Sequence, residues 1–191
     1  MEAFGYLHLP RLFTADEISR ITEEHRQTFE RCGVTHDGSA RSYVPAFLAQ
    51  SPRLAALLEH PAVLRVARPL LGADFIWIGG EGNYYSGVTT WHTDTIHRTA
   101  PTSYLKFHLY LDPLARETGA IRVIPGSHLS AEWREDLRRL CQPEAEDGGG
   151  GDPLEGGDIP SVAVETEPGD AVLFSHHVRA RCLTLPRPFP P

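Results

Sequence analysis

Gly72 divides the chain into two hydrophobic periodicities, and that change constrains the fold more than any other feature. Before it, apolar residues recur at helical spacing. Thr14-Ala15-Asp16-Glu17 is a capping box, in which the Thr14 hydroxyl and the Glu17 carboxylate satisfy each other's orphan amides. It predicts a helix running to about Cys32, with Ile18, Ile21 and His25 on one stripe and Gly33 as its stop. Ser51-Pro52 reads as an N-cap followed by proline at the first helical position, with Leu54, Leu57 and Leu58 facing inward. Another helix is expected from Pro61 to the Gly72 stop, and a short strand over residues 4–9. Residues 34–46 show no clear period.

After Gly72 the apolar runs are short and are broken by glycine and proline: 75–78, 83–85, 88–91, 104–111, 121–124, 161–166 and 171–174. Helices followed by many short strands predict a mainly β barrel or sandwich buttressed by N-terminal helices. A helix over 129–140 and a Gly-, Pro- and acid-rich surface loop over 142–158 interrupt the strands. Residues 182–191 hold four prolines in ten, so neither a regular helix nor a central strand is expected there.

At 191 residues the chain is expected to be one domain, with helical support over 1–72, a β core over 73–178 and an irregular tail over 179–191. A net charge of −7 argues against a nucleic-acid partner. No apolar run has the roughly 18 residues of a membrane span, and the N-terminus lacks the basic start of a signal peptide. Cys32, Cys141 and Cys182 show no CxxC spacing and read as reduced thiols, which places the chain in the cytoplasm. No GxSxG, P-loop or GxGxxG occurs, so serine-hydrolase, nucleotide-hydrolysis and dinucleotide chemistry have no support. Oligomeric state is not legible.

The chemistry concentrates at Trp91-His92-Thr93-Asp94. In extended backbone, residues i and i+2 point to one side, so the His92 imidazole and Asp94 carboxylate can share a metal ion. With a distant histidine they would form the facial triad of non-haem Fe(II) oxygenases, which leaves one face of the metal open. Taken alone, His-x-Asp recurs by chance and equally describes a solvated pair at a strand end.

Three further segments lie downstream or upstream in a fixed order: Ile124-Pro125-Gly126-Ser127-His128, Pro168-Gly169-Asp170-Ala171-Val172-Leu173-Phe174, and an opening Gly5-Tyr6-Leu7-His8-Leu9 before a capped helix. With the His-x-Asp motif they resemble the phytanoyl-CoA dioxygenase family, a branch of the Fe(II)- and 2-oxoglutarate-dependent oxygenases, over nearly the whole chain to Phe174. The resemblance implies a double-stranded β-helix, a cupin-like jelly roll, here incomplete at its C-terminal end. It implies Fe(II) held by His92, Asp94 and a distal histidine, with 2-oxoglutarate as co-substrate converted to succinate and CO2 while a small-molecule substrate is hydroxylated. It also makes Lys106, the chain's single lysine, a candidate anchor for the far carboxylate of 2-oxoglutarate, and Tyr84 a candidate cofactor contact. In the family's turn motif His128 is expected to make a structural hydrogen bond. Asp170 reads as a turn former.

The chain departs from that pattern where the third ligand belongs. Six residues after Phe174, in the slot of the family's distal histidine, stands Ala180. His176 and His177 lie two and three residues after Phe174, and Arg187 eleven after His176. A shifted register would make His176 (or His177) the third ligand and Arg187 a co-substrate anchor. The other reading is a frame altered just after His177, which would leave the site short of a ligand. Three functions follow: a hydroxylating dioxygenase, an inactive jelly-roll relic or small-ligand-binding protein with an incomplete metal site, and a cupin-like metal enzyme without 2-oxoglutarate.

Overall fold

The computed structural model describes residues 1–89, 91–94, 104–130, 132, 133, 136 and 160–184. The elements are β1 (Tyr6–Leu9), α1 (Ala15–Arg31), β2 (Ser42–Pro45), a single 3-10 turn (Phe47–Gln50), α2 (Pro52–Ala55), a second 3-10 turn (Ala56–Glu59), α3 (Pro61–Leu71), β3 (Glu81–Tyr84), β4 (Gly87–Val88), β5 (Leu105–Leu109), β6 (Ile121–Val123), β7 (Val162–Val164), β8 (Ala171–Ser175) and β9 (Ala180–Thr184). Among the described residues the strands form three sheets, ordered β1-β8-β5, β2-β3 and β4-β9-β6-β7, and every pairing is antiparallel.

The local signals of the first half are met. The Thr14 hydroxyl accepts from the Glu17 amide, and the Glu17 carboxylate accepts from the Thr14 amide, closing both halves of the box. Ser51 caps α2 by accepting from the Leu54 amide, with Pro52 at the first position. Gly72 ends α3 at φ 90°, a left-handed conformation that glycine alone adopts without strain.

Two β layers meet over a shared core. Val172 and Phe174 of β8 pack with Ile121 and Val123 of β6, Val164 of β7, Val178 and Ala180. On β5 the two-residue period separates the faces. Phe107 and Leu109 pack against Phe13, Ile18 and Val63 of the helical layer. Lys106 and His108 stand opposite Phe174 and Val172 in the ladder and so share their inward face. The inward face of β5 is therefore where polar chemistry enters the core.

The turn before β8 is built on a close approach. Gly169 has φ +98°, and a Cβ there would lie 2.7 Å from the Phe13 carbonyl oxygen. Asp170 is a turn former, as expected: it accepts from the Arg11 and Glu167 amides and from His8. Gly169→Ala combines left-handed strain with backbone overlap and is expected to destabilise the fold by about 3 kcal/mol. Urea denaturation checks this; a loss under ~1 kcal/mol would show that the turn relaxes freely.

Three expectations need correction. Residues 75–78 form no strand, and Ile76 and Ile78 are 78% and 63% exposed. Strand-forming residues stay irregular without a neighbouring ladder, because β-propensity reflects packing on a pleated surface. Residues 34–46, read as featureless, contain β2, whose partner β3 lies some forty positions on and is invisible to local pattern. The expected tail contains a central strand: β9 lies between β4 and β6. The prolines all follow residue 184, so the five residues of β9 keep every ladder amide. Of the expected 129–140 helix, residues 132, 133 and 136 are helical; the rest from 137, with the 142–158 loop, falls outside the described residues.

Candidate metal centre

Trp91 and His92 fall on opposite faces of an extended segment, and Trp91 anchors it. Its side chain is fully buried, with the Arg181 guanidinium 4.8 Å above the indole centroid. His92 is fixed by a bridge to β9: its amide donates to the Ala180 carbonyl at 3.1 Å, and the Ala180 amide donates back at 3.0 Å. Directly opposed residues of an antiparallel pair project to the same side. The slot across the ladder from His92 is thus the methyl of Ala180.

Asp94 follows at the spacing that returns its side chain to the side of His92. His92 Nε2 lies 4.0 Å from Asp94 Oδ1. The same oxygen accepts from Lys106 Nζ at 2.7 Å. The Asp94 backbone is also held, because the Tyr104 hydroxyl donates to its carbonyl. His176 supports that contact from behind: its ring stacks on Tyr104 at 4.0 Å, and its Nδ1–H donates to the Tyr104 carbonyl at 3.0 Å. The His177 ring lies against that of His176 in a tilted contact at 3.8 Å.

A pocket of about 310 Å³ opens over these groups. His92, Asp94, Lys106 and His108 line its polar wall, Ala180, Ile121 and Phe174 its apolar wall, and Arg41, Glu81 and Tyr85 also border it. Arg41 is ion-paired to Glu81 and lies over the Tyr43 and Tyr85 rings at 4.9 and 5.1 Å. Burial, with Lys106 adding to it, holds His108 down at about 4, so this imidazole is neutral at physiological pH. Burial likewise pushes the Cys182 thiol up to about 11.

Of the residues expected at the site, His92, Asp94 and Lys106 come together. His176 stands against Tyr104, and no group of three histidine, cysteine, aspartate or glutamate side chains able to share a metal occurs among the described residues. Tyr84 lies in the aromatic cluster of α1, stacked on His36 and edge-on to His25 and Phe29, while its neighbour Tyr85 borders the pocket. Arg187 lies outside the described residues. Arg41 and Glu81 were not singled out from sequence and Cys182 only as a reduced thiol; no local pattern marks any of them as a site residue. His128 makes its expected structural bond, Nε2 to the Glu2 carbonyl at 3.0 Å.

One imidazole and one carboxylate on a single pocket wall fit a divalent ion of the iron type at two protein donors. Across the ladder from His92, in the slot where the family resemblance would put a third ligand, Ala180 offers no donor.

Solved structures share the fold. The non-heme alpha ketoglutarate dependent carbocyclase SnoK from nogalamycin biosynthesis matches with a TM-score of 0.73 at 22% identity, over 95% of this chain and 74% of that one. HygX from Streptomyces hygroscopicus, crystallised with nickel and 2-oxoglutarate, matches at 0.72 and 20% identity, over 96% and 78%. EctD from S. alaskensis, with 2-oxoglutarate and 5-hydroxyectoine, matches at 0.72 and 20% identity, over 98% and 69%. Among characterised proteins, the dioxygenase aneA of Aspergillus aculeatus is 28% identical over 137 residues, 62% of this chain and 39% of that enzyme's length. The family follows from residues 1–179, which match the phytanoyl-CoA dioxygenase (PhyH) model: the chain belongs to that family. No helix among the described residues is long and apolar enough to cross a membrane.

Proposed function

We propose that this chain is an Fe(II)- and 2-oxoglutarate-dependent dioxygenase that hydroxylates a small molecule in the cytoplasm, its two β layers being the sheets of a double-stranded β-helix. The observation that carries the reading is the convergence of His92 and Asp94 on one wall of a pocket, in a chain of this family. The 2-oxoglutarate held by HygX and EctD supports the choice of co-substrate.

In this reading His92 and Asp94 hold the metal. Bound iron would activate dioxygen while 2-oxoglutarate gives up two electrons and loses CO2, so that one oxygen atom ends in succinate and the other in a substrate C–H bond. The protein's own work is positioning. Tyr104 and His176 fix the Asp94 backbone, and Trp91 under Arg181 fixes that of His92. Ile121 and Phe174 give the pocket an apolar wall that excludes water. Lys106, a point charge on a flexible stem, suits the far carboxylate of the co-substrate. The substrate would enter past Arg41, Glu81 and Tyr85.

Ala180 favours a second reading, a relic or small-ligand binder whose metal site is incomplete. One experiment separates the two. Fe(II) and then 2-oxoglutarate are added anaerobically, and the visible metal-to-ligand charge-transfer band of the chelate is sought. The oxygenase reading expects a band in the wild type and none in Asp94→Ala, with the far-ultraviolet circular dichroism unchanged. No band in the wild type would overturn the oxygenase reading, leaving the relic if metal also fails to bind and a cupin-like metal enzyme without 2-oxoglutarate if it binds.

A further inference from the structure

Two cation-seeking geometries compete for one oxygen. Asp94 Oδ1 is the atom that faces His92 Nε2, and it is also the atom held by Lys106 Nζ at 2.7 Å, the length of a charge-assisted hydrogen bond. A metal shared by His92 and Asp94 must take that oxygen from the ammonium. Placement of the competitor is structural. Lys106 stands opposite Phe174 in the β5–β8 ladder, so its stem can only run along the inward face toward the pocket. The pair is partly solvent-accessible, with the Lys106 side chain 41% exposed and Asp94 19%, so the ammonium can leave without being stranded in an apolar core.

Resting on the metal-site reading above, we infer that Lys106 is a two-station cation that couples metal and co-substrate binding. Without metal it neutralises Asp94. When a divalent ion takes Asp94, the displaced ammonium is expelled by like charge into the pocket and becomes available to a carboxylate of 2-oxoglutarate. Lys106 therefore weakens binding of the metal alone and strengthens binding of the dianion once metal is present. A site with only two protein donors is especially sensitive to such competition, because there is no third donor at Ala180 to outweigh the ammonium. In this arrangement the metal is retained chiefly together with the chelator.

The chain's single lysine makes the displacement directly observable. Reductive methylation with 13C-formaldehyde gives one side-chain dimethylamine signal beside that of the α-amine. Zn(II), which is diamagnetic and resistant to oxidation, is then titrated in, followed by 2-oxoglutarate. The Lys106 signal is expected to move on addition of Zn(II), and to move again with 2-oxoglutarate only when Zn(II) is present. In parallel calorimetry, Lys106→Met is expected to bind Zn(II) alone roughly three- to tenfold more tightly than the wild type. The Zn(II)-loaded variant is expected to bind 2-oxoglutarate more weakly than the loaded wild type. A merely structural lysine would change both affinities in the same direction. Equal Zn(II) binding by both proteins with an unmoved lysine signal would overturn the role of Lys106 and leave the metal site standing. Absence of Zn(II) binding in either protein would overturn the metal site, and the coupling with it.

Discussion

Ala180→His is expected to raise the affinity for a divalent metal roughly thirtyfold, an unusual gain from one substitution. Ala180 and His92 form a directly opposed, doubly hydrogen-bonded pair, so an imidazole at 180 starts on the same side of the ladder as that of His92. Ala180 is 3% exposed and packs with Ile121, Val123 and Phe174, so the pocket is the open direction for a larger side chain. Structural zinc sites with four donors are worth about 10–16 kcal/mol, or about 2.5–4 per donor. Ordering the ring and crowding the neighbours costs about 1–2 kcal/mol. About 2 kcal/mol remains, which is the thirtyfold. Calorimetry with Mn(II) or Co(II) reads it, and Ala180→Leu, which adds bulk without a donor, should show no gain. Equal affinities in the two variants would mean that position 180 does not face the metal.

How much of this could be read from the chain alone depended on how local each signal was. The Thr14–Glu17 box, the Ser51-Pro52 start and the Gly72 stop involve groups within four residues of one another, and each was legible. The His92–Asp94 pair was legible for the same reason, since its geometry follows from a spacing of two. What failed was pairing at long range. Residues 75–78 have strand composition but gain no ladder, whereas β2 has a ladder with β3 that its own sequence barely announces. β9 was hidden because the prolines beyond residue 184 coloured the reading of the five residues before them. The same limit applies at the site. The family resemblance marked Ala180 as the slot of a missing ligand, and the structure adds that this slot faces His92 across a ladder. Nothing in the sequence pairs Lys106 with Asp94 or turns Tyr84 toward α1, because both depend on which strands lie side by side.

Acidification from pH 6.5 to 4 is expected to strip a large part of the fold's stability, and His25 is the chief named cause. Its ring is 6% exposed, stacked on Phe29 at 4.6 Å, tilted against Phe47 at 5.0 Å and edge-on to Tyr84 at 4.8 Å. Burial in this aromatic cluster holds the imidazole down at about 4, against 6.5 in its ordinary state. Between those values the unfolded chain binds a proton that the folded chain refuses, so stability falls as pH falls. A shift of that size corresponds to about 3 kcal/mol, fully present above pH 6.5 and mostly lost near pH 4. His108, also held down at about 4 by burial, adds to the slope over the same window. The depressed carboxylates Glu17, Glu23, Glu24, Asp37 and Asp170 act in the same direction, but lower: their contribution goes only as pH drops below ordinary values of 4.5 for Glu and 3.8 for Asp. Urea titrations at pH 7 and pH 4.5 therefore read mainly the histidines, with a smaller share from the glutamates. His25→Phe keeps an aromatic ring in the cluster and removes the proton site. It should match the wild type within ~1.5 kcal/mol at pH 7 and lose markedly less than the wild type at pH 4.5. If both proteins lose stability equally, His25 is not the group that takes up the proton, and the slope belongs to His108 and the depressed glutamates.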